Sequence, residues 1–240
     1  MTIRPIDRLN PPFATLDAVL FDLDNTLIET HIDFPAMKAE VRVVAKQYSV
    51  SLPDDGDVLG LVAAGASAVR AERGIAESVR FESAALRTIE EIERRQCAAP
   101  VQLAGASDLL RLLRSLGVGV GVVTRNCRAV ADALLAAGDL VPDVLLARND
   151  VPAVKPNPDH LLRALEAISH ATRRRVDAGN SAMAGDHTMD VRAGRAAGML
   201  TVGFLRGRDA KFFAREMPEL LFEGPQAMLE MVLASAPTYV

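Results

Sequence analysis

The stretch "VLFDLDNTLIET", residues 19–30, sets an apolar, strand-like run against two aspartates, Asp22 and Asp24, separated by a single leucine. Residues two apart on an extended chain point the same way, so the two carboxylates repel each other and lose water together where the strand end packs. A positive charge has to compensate. A plainer account is loop chemistry, with Thr26 and Glu29 forming a capping box for a following helix. The stretch by itself leaves both readings open.

A second stretch, "AGDHTMDVRAGRAAG" at 184–198, puts Asp186 directly after another apolar run and Asp190 four residues later, on the same helical face. Ligands of open α/β sheets bind outside the carboxyl ends of the strands, so the two acidic stretches converge if their strands are neighbours. Four carboxylates at one crevice imply a hard divalent cation, and oxygen ligands point to magnesium. Asp190 alone also reads as a first-turn acid complementing a helix dipole. Thr124 ends the run "VGVGVVT", where its hydroxyl and the following backbone N–H groups suit an anion, or where it caps the helix that follows. Lys155, in "VPAVKPNPD", precedes Pro156, which biases it to an extended backbone just after a third strand-like run.

These runs belong to a wider rhythm. From residue 102 onward helical patterns alternate with short apolar runs: "ASDLLRLLRSLG" and "VGVGVVT", "CRAVADALLAAG" and "DVLLA", "PDHLLRALEAI" and "SAMAGD", "DVRAGRAAG" and "LTVGFL". That alternation predicts βα units on a doubly wound parallel sheet, an α/β fold whose first strand is residues 18–22. Gly117, Gly138 and Gly198 follow the periodic segments as helix stops, and Asn157-Pro158 reads as a helix start. Residues 34–99 differ: no β-branched strand run, but helical periodicity in "MKAEVRVVAKQY" and "ESAALRTIEEIERRQ", with Glu90–Arg94 and Glu91–Arg95 as i,i+4 pairs. The expected organisation is therefore a core domain of residues 1–33 and 100–240 and an all-helical insert of residues 34–99, with breaks at Pro35 and near Pro100.

The 240 residues are 50% hydrophobic and 24% charged, enough to bury a sizeable core and against wholesale disorder. A net charge of -4 provides no global attraction for nucleic acid or an anionic membrane, so an anionic ligand must be held locally. Cys97 and Cys127 have no metal-ligand spacing and suit a reducing compartment. The opening "MTIRPIDRLNPPFATLD" resembles neither a signal peptide nor a membrane span. A soluble, cytoplasmic protein is expected, a monomer or homodimer.

Taken in order, "DLDNT", "VVT", Lys155 and "GDHTMD" resemble the four motifs of the haloacid dehalogenase-like phosphohydrolase superfamily. The stretch from "VKPNPDHLL" to "AGDHTMDVRAGRAAGM" is similar to its phosphoglycolate phosphatase-like branch, and the helical insert looks like the family's cap domain. The resemblance implies a Rossmann-like core and a magnesium-dependent phosphatase acting on a small phosphate monoester, phosphoglycolate-like or a sugar phosphate. It implies Asp22 as the nucleophile that forms an aspartyl-phosphate and Asp24 as acid and base. Magnesium would be held by Asp22, Asp186 and the backbone carbonyl of Asp24, with Asp190 behind them. Thr124 and Lys155 would bind the phosphoryl oxygens, Lys155 also orienting Asp22, and the N–H of Leu23 is a further donor. Thr26 is expected to shape the turn.

Two departures matter: Asn25 stands where many relatives carry glycine, and Arg125 follows Thr124 where asparagine is frequent, which bears on the substrate pocket. The insert is expected to supply specificity by closing over the crevice. Its Arg70, Arg73, Arg80 and Arg87 read mainly as a solvated face, with an anionic substrate group as the other option. His31 lies at the first hinge, His187 beside Asp186, and His160 and His170 read as helix-surface residues. The alternatives are a phosphoryl-transferring mutase, a dehalogenase, which has little use for the metal carboxylates, and a non-catalytic phospholigand binder. A phospho-accepting receiver-like signalling domain is the remaining one, and it needs only about half of this chain.

Overall fold

The computed structural model of the chain describes Phe13 and residues 16–235; most of the N-terminal stretch quoted above lies outside the described residues. Along the chain run β1 (Ala18–Phe21), β2 (Ile28–Glu29), α1 (Phe34–Gln47), α2 (Val58–Arg73), α3 (Ile75–Gln96) and β3 (Val101–Gln102). Then follow α4 (Ala106–Ser115), β4 (Gly119–Val123), α5 (Arg128–Ala137), β5 (Val144–Leu146) and α6 (Asp159–Thr172). The last elements are β6 (Ser181–Gly185), α7 (Thr188–Ala196), β7 (Leu200–Phe204), β8 (Leu220–Phe222) and α8 (Pro225–Ser235). Two compact units result, one running to Glu29 and resuming at Pro100, the other Thr30–Ala99.

Six strands form one parallel sheet in the order β5-β4-β1-β6-β7-β8. The α/β expectation holds, and its cause is visible in β1, β4 and β6, whose residues are all buried, as continuous apolar runs in a sheet covered on both faces must be. Helix α6 packs on β4, β5 and β1, and α7 on β6 and β7. The apolar stripe Leu161, Ala164, Leu165 and Ile168 meets Ala18, Leu20, Val123 and Met183 in one cluster. The glycines of β4 serve that contact, since a Cβ at Gly119 would come within 2.5 Å of Ile168 Cγ2.

Several elements escaped the sequence reading. Strands β2 and β3 pair antiparallel, Ile28 with Gln102 and Glu29 with Val101, so the chain leaves and re-enters the core at adjacent points. Strand β8 is only three residues long and closes one edge of the sheet. Pro35 lies in the first turn of α1, where a missing N–H costs no hydrogen bond.

The insert is helical throughout its regular elements. Asp33 caps α1 by accepting from Ala36 N, and Asp57 caps α2 by accepting from Leu59 N and Gly60 N. In α3 the spacing Phe81, Ala85, Ile89, Ile92 lays one apolar stripe against Met37, Val41, Leu61, Val62 and Val69. Glu90 and Arg94 pair on the outer face, but Arg95 donates to the main-chain carbonyl of Glu91 rather than to its carboxylate. Among the described residues no helix is long and apolar enough to cross a membrane.

Candidate active site

The order β4-β1-β6 brings the three motif-bearing strands side by side. Phe21 pairs with Val122 on one side and Ala184 on the other, so the chain segments that follow, carrying Asp22, Thr124 and Asp186, emerge at one level. The ladder reaches slightly further than the strands: Asp22 N donates to Ala184 O at 2.9 Å and Thr124 N to Leu146 O at 3.0 Å.

Lys155 supplies a cation to Asp22 and Asp190. Its side chain is 1% exposed, and Nζ lies 2.6 Å from Asp22 Oδ1 and 2.7 Å from Asp190 Oδ1. Burial alone would lower its pKa, but the carboxylates of Asp190 and Asp22 outweigh it and raise the value, so the ammonium stays charged. Burial raises the Asp22 carboxyl, and Lys155 opposes the rise only in part, because Asp22 shares that one ammonium with Asp190. Asp190 is in the first turn of α7, where Oδ2 also accepts from His187 N at 3.1 Å. Gly185 makes room for it, since a Cβ there would collide with the Asp190 carboxylate.

Asp186 is held from the other side. Arg208 Nη2 donates to its Oδ2 at 3.0 Å and to its carbonyl oxygen at 2.5 Å, while the guanidinium stacks on Phe212 with Cζ 4.2 Å from the ring centre. Burial, then Asp22 and Asp190, push the Asp186 carboxyl up to about 7 against the pull of Arg208. Thr26 ties the two motifs together, its hydroxyl donating to Asp22 Oδ2 at 3.2 Å and accepting from Asp186 N at 3.1 Å. It shapes the turn, as expected.

One oxygen each from Asp22, Asp186 and Asp190 lies within 4.8 Å of the others. Three such carboxylates face the two cations Lys155 and Arg208, and burial first, then the neighbouring carboxylates, raise the Asp22 and Asp186 carboxyls. This all-oxygen set fits a hard divalent cation. Asp22, Asp186 and Asp190 are three of the four carboxylates that the sequence singled out. The Asp24 carboxylate accepts from Asn126 Nδ2 at 2.7 Å and from Thr124 Oγ1 at 3.4 Å.

Asn25 explains one departure from the motif. It has φ 54°, a left-handed conformation that favours glycine and that asparagine tolerates. Leu23 is buried, and its N–H faces the Asp22 carboxylate. Arg125 reaches from the end of β4 to the first turn of α7, with Nη1 2.8 Å from Met189 Sδ. Thr124 does not cap α5, whose N-cap is Cys127; its hydroxyl accepts from Asn126 N at 3.1 Å. In the insert, Arg70, Arg73, Arg80, Arg87 and His31 are exposed, and Arg80 pairs with Glu77.

Sequence reasoning missed three residues here. Asn126 stands one place beyond the position where asparagine was looked for. Arg208, 22 residues after Asp186, arrives only through β7. His160 is corrected from a surface residue to a fully buried one, whereas His170 is exposed. A signal existed for His160, because it shares a helical stripe with Ala164 and Ile168, both buried.

Comparison with known proteins agrees with this geometry. The family model described as haloacid dehalogenase-like hydrolase matches residues 16–198. The chain is 31% identical over 197 residues to a phosphoglycolate phosphatase of Cupriavidus necator, covering 76% of this chain and 78% of that one. It is 28% identical to the N-acetylmuramic acid 6-phosphate phosphatase of Pseudomonas putida, covering 80% and 84% respectively. Among solved structures, a hydrolase from Pseudomonas syringae superposes with a TM-score of 0.63 at 21% identity, covering 91% of this chain and 98% of that one.

Proposed function

The chain is an enzyme of the haloacid dehalogenase-like hydrolase family, and from that premise we propose that it is a magnesium-dependent phosphatase of small phosphate monoesters. The observation that carries this reading is the buried ammonium of Lys155, shared by Asp22 and Asp190 beside Asp186 at the sheet's carboxyl edge. A carboxylate approaching a phosphate at 4 Å meets about 4 kcal/mol of repulsion per charge pair at an effective dielectric of 20, so countercharge decides whether attack occurs. Asp22, Asp186 and the main-chain carbonyl of Asp24 would hold magnesium, with Asp190 behind them, and the ion would supply that countercharge on the phosphoryl group.

Asp22 is oriented by Lys155 through Oδ1 and by the Thr26 hydroxyl through Oδ2. Its carboxylate attacks phosphorus, the bond to the ester oxygen breaks, and Asp24 gives a proton to the departing alkoxide. Asp24, then ionised, takes a proton from a water molecule that attacks the phosphoryl group and frees Asp22. The hydrogen bond from Asn126 holds the Asp24 carboxyl in one place through both steps, while the Thr124 hydroxyl, which donates to Asp24 in the absence of substrate, turns its proton to the phosphoryl group. Lys155 and Thr124 bind the phosphoryl oxygens, with the Leu23 N–H as a further donor. The substrate is a small ester, for which the relatives' phosphoglycolate and N-acetylmuramic acid 6-phosphate are the first candidates.

The test is phosphate release from p-nitrophenyl phosphate and a panel containing both esters, with and without magnesium. Turnover that needs magnesium and falls on the order of 10⁴-fold in Asp22→Asn is the expected result. A stable phosphoryl adduct without turnover would instead make the chain a phospho-acceptor.

A further inference from the structure

The two side chains assigned to the phosphoryl oxygens, Thr124 and Lys155, come from different loops, after β4 and after β5. Their backbones are nevertheless linked through a short series of hydrogen bonds. Thr124 N donates to Leu146 O at 3.0 Å, His160 Nε2 lies 3.2 Å from the same carbonyl, and Lys155 N donates to His160 Nδ1 at 3.3 Å. His160 occupies the first turn of α6 and is fully buried.

The partners fix its chemistry. A carbonyl oxygen only accepts, so Nε2 must carry the proton; a main-chain amide only donates, so Nδ1 must be bare. Both bonds therefore exist together only for the neutral Nε2–H ring. The surroundings favour that form: burial first, then the charge of Lys155, with Arg125 adding to it and the Leu146 hydrogen bond and Asp150 opposing, push the imidazole down to about 3.

We propose that His160 is a positioning residue that sets the separation of Thr124 and Lys155, clasping the Leu146 carbonyl and the Lys155 amide between its two ring nitrogens. It touches no reacting atom and acts through the two residues it spaces. The inference rests on the phosphatase reading for its effect on turnover, but its geometry is independent of that reading.

Because the two bonds act in series, breaking either one releases the pair. His160→Gln retains a donor near Leu146 O and loses the acceptor for Lys155 N; His160→Asn retains the acceptor and loses the donor; His160→Leu loses both. All three are expected to lower kcat/KM by about 10- to 100-fold and to weaken inhibition by inorganic phosphate by a similar factor, as misplacement of a binding group does. The three losses should agree within a few-fold although the melting temperatures differ. Losses that track melting temperature, or wild-type kcat/KM and phosphate inhibition in Gln and Asn, would overturn the proposal.

The tautomer is read on the wild-type chain without substrate, from the imidazole ¹⁵N shifts. An Nε2–H ring that does not titrate between about pH 5 and 8 is expected, where an unconstrained histidine would titrate. An Nδ1–H ring, or protonation within that range, sinks the clasp. Absence of wild-type turnover on every ester would count against the phosphatase and is seen separately from either result.

Discussion

Two ion pairs in this molecule have the same length and opposite meaning. At the carboxyl edge of the sheet, Lys155 Nζ lies 2.7 Å from Asp190 Oδ1, with side chains 1% and 4% exposed. On the outer face of α3, Arg94 Nη2 lies 2.7 Å from Glu90 Oε1, with side chains 57% and 32% exposed. Distance does not separate them; water does. Removing charges from water costs several kcal/mol per ion, so a buried pair persists only where partners hold it and where something other than stability requires it. A solvated pair gives up little hydration and gains little. The mouth of the sheet is where this chain accepts electrostatic cost, and the face of the insert is where it avoids it.

The largest expected effect comes from breaking the buried side of that contrast. Lys155→Ala leaves Asp22 and Asp190 facing each other with their shared ammonium gone, and a buried pair broken on one side typically costs about 3–5 kcal/mol. Urea unfolding at pH 8 should show that loss, and it should shrink in acid, where Asp22, whose carboxyl burial already raises, takes up a proton. An unchanged midpoint would mean that solvent reaches these groups, and the comparison would fail.

A smaller effect tests the neutral ring beside Lys155. The pKa of His160 lies near 3 in the fold against an ordinary 6.5. The unfolded chain therefore binds more protons between those values, and the histidine's contribution, intact above pH 6.5, is lost as pH falls toward 3. The slope reaches about 1.4 kcal/mol per pH unit below 6.5. It should be present in wild type and absent in His160→Asn when urea midpoints at pH 7.5 and 5.5 are compared. Asp186, raised to about 7, contributes the opposite slope to both chains and cancels in the difference.

What the sequence disclosed follows from the range of the forces involved. Asp22, Thr124 and Asp186 were legible because each lies just past an apolar run, and a parallel sheet aligns such ends whatever the loops do, whereas Lys155, well beyond the end of β5, was marked by the Pro156 that follows it. The helices α4 to α7 announced themselves by period. Helix α2, rich in alanine and glycine, carries a weak apolar pattern, and β2, β3 and β8 are too short to show any. Arg208 and the pairing of Asp24 with Asn126 are products of tertiary placement, which no local spacing encodes. His160 was misread because a titratable side chain at a helix start suggests water, although its stripe pointed inward.

The exposed pair supplies the smallest expected effect and the sharpest control. Arg94 donates through both Nε and Nη2 to Glu90 Oε1, at 3.0 and 2.7 Å, so its geometry is as good as a monodentate pair offers. If geometry set the energy, Arg94→Ala would cost as much as the loss at the sheet edge. Solvation predicts instead a change within about 0.5 kcal/mol, fading further as salt is raised, since an i,i+4 pair on a helix surface is worth about 0.3–0.5 kcal/mol. Urea unfolding of Arg94→Ala in low and high salt measures it. A loss above about 1 kcal/mol that salt leaves untouched would show that the insert's outer face is shielded from water, and the two pairs would no longer differ for the reason given.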